Sequence, residues 1–135
     1  MSDAYMLPLP TLDDLNRPFW TAGADGLLRF QHCQDCAYWL HPPGEICPRC
    51  LGKAIVFEAV GGQGTIEALS INYQSWMPGL QVPYALAIVG IDEQEGLRLT
   101  TRIVDAPLEM LRIGQRVRVV FEPREDVWLP LFTPL

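Results

Sequence analysis

All four cysteines of the chain fall between positions 33 and 50, as two Cys-x-x-Cys pairs, Cys33/Cys36 and Cys47/Cys50, with ten residues between the pairs. A Cys-x-x-Cys turn brings two sulfurs and several backbone N–H groups onto one cation. Two such knuckles complete the tetrahedral thiolate shell that zinc takes in structural sites. The connection, which includes "WLHPPGEI", is shorter than the roughly fifteen to twenty residues of common four-cysteine sites, so it must close one tight hairpin. Four thiolates leave no open position for water or substrate, which makes the expected role structural. Iron suits the same shell, and disulfides are the remaining alternative. With the shell full, His32 and His41 are expected to be surface or hydrogen-bonding histidines, and Trp39 a cover for the metal module.

The compartment bears on that choice. "MSDAYMLPLPTLDDL" carries acidic residues where a secretory signal would be basic and then apolar, and no later window reaches transmembrane length. A cytoplasmic chain without a membrane span is expected, and thiols there stay reduced. The net charge of -6 disfavours nucleic acid as a partner, because phosphate neutralisation supplies most of that affinity. Lys53 is the only lysine, and the arginines are scattered rather than interleaved with aromatics, as a single-strand-binding barrel would need.

Before the cysteines, a loose arm runs to Leu9. Thr11 with Asp14 then fits a cap for a short helix in which Pro18 suits the first turn and Phe19 and Trp20 follow. Leu28 and Phe30 alternate with Arg29 and Gln31 in a strand entering the first knuckle. Beyond Lys53 the pattern is all strand: "IVFEAV" from Ile55, "TIEALSINYQSW" from Thr65, "YALAIVGID" from Tyr84, "LRLTTRIV" from Leu97 and "RVRVVFE" from Arg116. "YALAIVGID" is apolar on both parities and reads as buried on both faces. "DEQEG", from Asp92, reads as a solvated hairpin tip, and the last connection can hold one helical turn ended by Gly114. Five patterned strands leave troublesome edges unless the sheet curls shut. The expected fold is mostly β, with a small closed barrel of the OB type, and an open sandwich is the alternative.

A region from "PFWTAGADGLLRFQHCQDC" through "HPPGEICPRC", "GGQGTIEALSINY", "VPYALAIVGIDEQEGLRLTTRIV", "IGQRVRVVFE" and "LPLFTPL" resembles the domain of unknown function family thirty-five nearly end to end. The likeness runs from about Pro18 to Pro134. It implies a rubredoxin-like zinc ribbon joined to a C-terminal five-stranded OB-fold: residues 1–26 as arm and short helix, 27–54 as ribbon and 55–135 as OB-fold. Ala37 and Leu51 stand where the family often has glycine after Cys-x-x-Cys, and Gln63 where its glycine turn often has a basic residue. The resemblance also implies a small accessory subunit of thiolase-like or lipid-transfer-protein-like enzymes that act on acyl-CoA, in a hetero-oligomer. One such activity is retro-aldol cleavage of a hydroxyacyl-CoA in steroid side-chain degradation.

A search for catalytic groups finds none. The sequence holds no Ser/His/acid pattern with context, no phosphate-cradling G-x-x-x-x-G-K loop and no histidine pair at metal-binding spacing. "GGQG" reads as a sharp entry into a long strand. An apolar surplus remains in the arm, in a Pro/Gly loop with Trp76, Met77 and Leu80, and in the tail "VWLPLFTPL", where Pro130 and Pro134 argue against a regular central strand. Phe19, Trp20, Trp76, Trp128, Leu129 and Phe132 are therefore the expected partner or acyl-channel contacts. A stand-alone acyl-CoA carrier and a single-stranded nucleic-acid-binding barrel are the alternative functions.

Overall fold

The computed structural model describes residues 8–76 and 78–135; residues 1–7 of the expected arm, and Met77, lie outside the described residues. Asp13 and Asn16 accept each other's backbone N–H, at 2.8 and 2.9 Å. This pair, rather than Thr11 with Asp14, precedes the helix α1 (Arg17–Thr21), which has Pro18 in its first turn. Five residues are too few to hold a helix alone. Burial of Phe19 anchors it, and a 3-10 turn at Ala22–Asp25 ends on Gly26 at φ +74°.

Three strands build the ribbon sheet: β1 (Leu28–Cys33), β2 (Trp39–Leu40) and β3 (Ile55–Val60), in the order β2-β1-β3. Ile55–Val60 was expected as a barrel strand. Instead it pairs with β1 along its whole length, from Leu28 opposite Val60 to Cys33 opposite Ile55. Antiparallel pairing with β1 satisfies one side of its backbone before the chain reaches the glycine turn.

The barrel closes in the order β4-β5-β6-β8-β7, from β4 (Gln63–Asn72), β5 (Tyr84–Ile91), β6 (Arg98–Ile103), β7 (Arg116–Arg124) and β8 (Val127–Pro134). Its fifth strand is the proline-broken tail, against expectation. The reason is parity. The Pro130 carbonyl accepts the Thr101 hydroxyl at 2.8 Å and the Phe132 carbonyl accepts the Val104 N–H at 2.8 Å, so even positions of β8 point toward β6. A strand residue directs its N–H and C=O to the same side. The donors missing at Pro130 and Pro134 therefore face the β6 seam, which makes a single parallel pairing, Ile103 with Phe132. The β7–β8 ladder stays in continuous register from Val117/Pro134 to Arg124/Val127.

β5 alternates instead of burying both faces. Ala85, Ala87, Val89 and Ile91 point into the barrel, while Leu86 is 41% exposed, as closure of the sheet requires. One core runs through both modules: Leu28, Phe30 and Val60 of the ribbon sheet pack with Ile66, Val89, Val117 and Phe132 of the barrel and with Phe19. A second, small cluster of Cys33, Leu40 and Cys47 belongs to the knuckles. At its start β4 approaches β5 closely, and only glycine fits there: a Cβ on Gly64 would lie 2.4 Å from the Gly90 carbonyl oxygen.

Candidate functional site

The two knuckles repeat one geometry. The Ala37 N–H donates to the Cys33 carbonyl at 2.9 Å, and the Leu51 N–H to the Cys47 carbonyl at 2.8 Å. Each turn then exits through a positive φ, 67° at Ala37 and 66° at Leu51. A left-handed exit favours glycine, so Ala37 and Leu51 hold a backbone conformation that L side chains rarely adopt. The N–H groups of Arg49 and Gly52 point at the Cys47 and Cys50 sulfurs, each at 3.4 Å.

All four sulfurs lie within 4.8 Å of one another, and the Cys33–Cys50 and Cys36–Cys47 separations are both 3.6 Å. Zinc–sulfur bonds of about 2.3 Å in a regular tetrahedron place sulfurs about 3.8 Å apart, whereas a disulfide needs about 2.05 Å. The arrangement is that of a metal shell. Burial pushes the Cys47 thiol up, but the N–H groups of Cys50 and Arg49 and the adjacent sulfurs outweigh it and bring it down to about 7. At Cys50 the Gly52 N–H favours the thiolate, yet burial and three neighbouring sulfurs push it up to about 12. Four thiolates this close need a cation to neutralise them, and the donor set fits zinc.

Around the shell, His32 bonds across the sheet. Its ring nitrogens lie 2.7 Å from a Glu58 oxygen and 3.0 Å from the Ala37 carbonyl, and the ring stacks on Trp39 at 3.9 Å. His41, expected at the surface or in a hydrogen bond, packs against Phe19 and Phe30 at 4.7 and 5.0 Å, and burial pushes it down to about 4. The "DEQEG" turn is exposed at Asp92, Glu93, Glu95 and Gly96, as expected of a solvated tip, and it is also bonded to its surroundings. Gln94 bonds twice to the Trp39 backbone, Glu93 accepts the Gly61 N–H at 2.8 Å, and Asp92 takes both Arg116 nitrogens at 2.6 and 2.7 Å. The Arg116 guanidinium holds the Asp92 carboxyl below its ordinary value. The Gln94 and Glu93 bonds seat the metal module on the barrel, while the Asp92–Arg116 pair ties the turn to β7 within the barrel.

A cavity of about 530 Å³ lies where β6 and β8 diverge, lined in part by Trp20, Leu86, Leu99, Leu129 and Leu131, with Arg102 among its polar walls. Of the expected contact residues it brings together Trp20 and Leu129. Phe132 is fully buried and Phe19 2% exposed, so both are core rather than surface: one fills the barrel and the other anchors α1. Trp128 is partly buried where the 3-10 turn crosses it, close enough that a Cβ on Gly23 would lie 2.5 Å from its own. Trp76 stands apart on the β4–β5 hairpin, 66% exposed. Leu86 and Arg102 were missed. The signal was the outward parity they share as cross-strand neighbours.

Two family models cover adjacent parts of the chain: the ChsH2 rubredoxin-like zinc ribbon domain matches residues 20–56 and the ChsH2 C-terminal OB-fold domain residues 57–122. A DUF35 domain-containing scaffold protein of Methanothermobacter thermautotrophicus is 35% identical over 91 residues, 66% of this chain and 67% of that protein. The chain belongs to the DUF35 family. A probable enoyl-CoA hydratase alpha subunit of Thermomonospora curvata is 28% identical to this DUF35 chain over 128 residues, 94% of the chain but 40% of the relative's length. A solved chain of an Ltp2–ChsH2 (DUF35) aldolase superposes with a TM-score of 0.83 at 28% identity, covering 93% of this chain and 98% of that one. The rubredoxin-like ribbon and OB barrel read from the DUF35 resemblance are thus the observed architecture. No helix among the described residues is long and apolar enough to cross a membrane.

Proposed function

We propose that this chain is a non-catalytic, cytoplasmic accessory subunit in a hetero-oligomeric enzyme of acyl-CoA metabolism, paired with a thiolase-like or lipid-transfer-protein-like catalytic subunit. The likeness to the DUF35 chain of the Ltp2–ChsH2 aldolase carries this reading, because it spans ribbon and barrel together. The reaction it favours is retro-aldol cleavage of a hydroxyacyl-CoA, with a steroid or other bulky side chain as the acyl part. Zinc held by Cys33, Cys36, Cys47 and Cys50 supplies a fixed tetrahedral staple, and these cysteines hold the ribbon hairpin in register with β1. The seam cavity supports a share in the acyl site: its volume lies in the range of small-molecule pockets, and Trp20 and Leu129 offer it apolar walls.

The test is reconstitution. The chain and the lipid-transfer-protein-like subunit of its source organism are purified separately, mixed, and assayed for cleavage of a 3-hydroxyacyl-CoA. Turnover that requires both proteins supports the proposal. Full turnover by this chain alone overturns the non-catalytic reading. Micromolar binding of acyl-CoA by the single chain, with no complex formed, supports the carrier instead.

A further inference from the structure

From position 68 to position 91 the chain carries no Asp, Glu, Lys, Arg or His, although 19% of the whole is charged. Inward residues of a barrel are expected to be apolar, but this window also contains the outward face of β5 and the entire β4–β5 connection. By contrast, β6 carries Arg98 and Arg102, and β7 carries Arg116, Arg118 and Arg124. In the uncharged window, Tyr73 is 73% exposed, Trp76 66%, Leu86 41% and Val82 37%. Large apolar side chains in water on a segment without charges, with Arg102 beside Leu86 at its edge, have the composition of an interface centre, where charged residues are depleted and aromatics enriched.

Nor is the patch loose. The Trp76 indole N–H donates to the Asn72 side-chain oxygen at 3.1 Å, and the Asn72 amide donates to the Gln74 carbonyl at 2.9 Å. The Ser75 hydroxyl closes the loop on the Leu80 carbonyl at 3.3 Å. An aromatic fixed this way loses little freedom on binding. The patch also has a direction: Leu86, two residues inside the last β4–β5 pair, Asn72 with Tyr84, is itself a wall of the seam cavity.

We infer that the β4–β5 hairpin is the surface on which the catalytic subunit seats, through an uncharged apolar face of that subunit, placing it beside the cavity mouth at Leu86. This rests on the accessory-subunit reading above. The charge pattern selects a protein occupant: an anionic membrane surface or a nucleic acid would need a cluster of basic residues here, and the window has none, with Arg102 the neighbour of Leu86 at its edge.

The test uses the full metal-loaded chain and the separately purified lipid-transfer-protein-like subunit, with affinity measured by titration calorimetry. A Tyr73→Ser/Trp76→Ser variant should keep the wild-type metal content and Tm and bind at least about 30-fold more weakly. Leu86→Arg, a single charge set into the patch, should weaken binding comparably. Wild-type binding matched by both variants overturns the inference and leaves the accessory role standing. Absence of wild-type binding overturns the accessory role itself. A wild-type self-association that both variants abolish, in place of binding to the other subunit, assigns the patch to a second copy of this chain and overturns the inference.

Discussion

The carboxamide of Gln94 and the main chain of Trp39 bond to each other twice, at 2.9 Å in each direction, across 55 positions of sequence. One barrel turn thereby acts as an added strand partner for the ribbon. Gln94→Ala should remove both bonds and leave a part-buried N–H and C=O at Trp39, lowering stability by about 1–3 kcal/mol. Amide exchange at Trp39 and Leu40 should speed up while metal content holds. Unchanged exchange would mean the ribbon needs no such clamp.

Replacement of Cys47 by Ser should release the metal. Cys47 is fully buried, and its sulfur lies 3.6 Å from that of Cys36. A hydroxyl is a poor substitute for a thiolate in this shell. Elemental analysis should find one zinc or iron per wild-type chain and none in the variant, whose ribbon amides should lose protection before those of the barrel. A wild-type protein purified without metal and still fully folded would contradict this.

Phe132→Ala should be severe, because the ring is fully buried in the barrel core opposite Ile103 and Val119. Truncation of a buried aromatic costs about 3–5 kcal/mol, a large share of the stability of a domain this size. Chemical denaturation should show the loss. Trp76→Ala, at an exposed position, should shift the same curve by about 0.5 kcal/mol or less. Equal effects would remove the distinction drawn between core and surface aromatics.

His41 should impose an acid limit. Burial lowers it from 6.5 to about 4, so above pH 6.5 it is neutral in folded and unfolded chains alike. Between those values the unfolded chain binds a proton that the folded one refuses, and stability falls as pH drops, by about 3 kcal/mol in all once pH is below 4. Carboxylate and thiolate protonation act on wild type and variant equally. His41→Phe should therefore lack this part of the slope between pH 6.5 and 4, read as the difference between two denaturation series. Parallel series would show that His41 does not resist protonation.

Local chemistry made much of this protein legible in its sequence. The cysteine spacing specified a four-sulfur shell because a Cys-x-x-Cys turn closes over a few bonds. Pro18 marked α1 because its ring suits the first turn. The alternation in "LRLTTRIV" and "RVRVVFE" marked β6 and β7 because a strand facing a core repeats every two residues. Partnerships between distant segments were a different matter. Ile55–Val60 has the same β pattern whether it pairs with β1 or joins the barrel, and only the folded chain, which lays it along β1 from Val60 to Ile55, decided that it stays with the ribbon. Pro130 and Pro134 argue against a strand until the neighbour on their donor side is known. The sparsely paired β6 seam removed the objection and left the cavity in its place. Phe19, Phe132 and Trp76 are alike in composition, yet two are core and one stands in solvent. Burial is a property of what lies across from a side chain, and a single sequence states what each residue is but not what it will face.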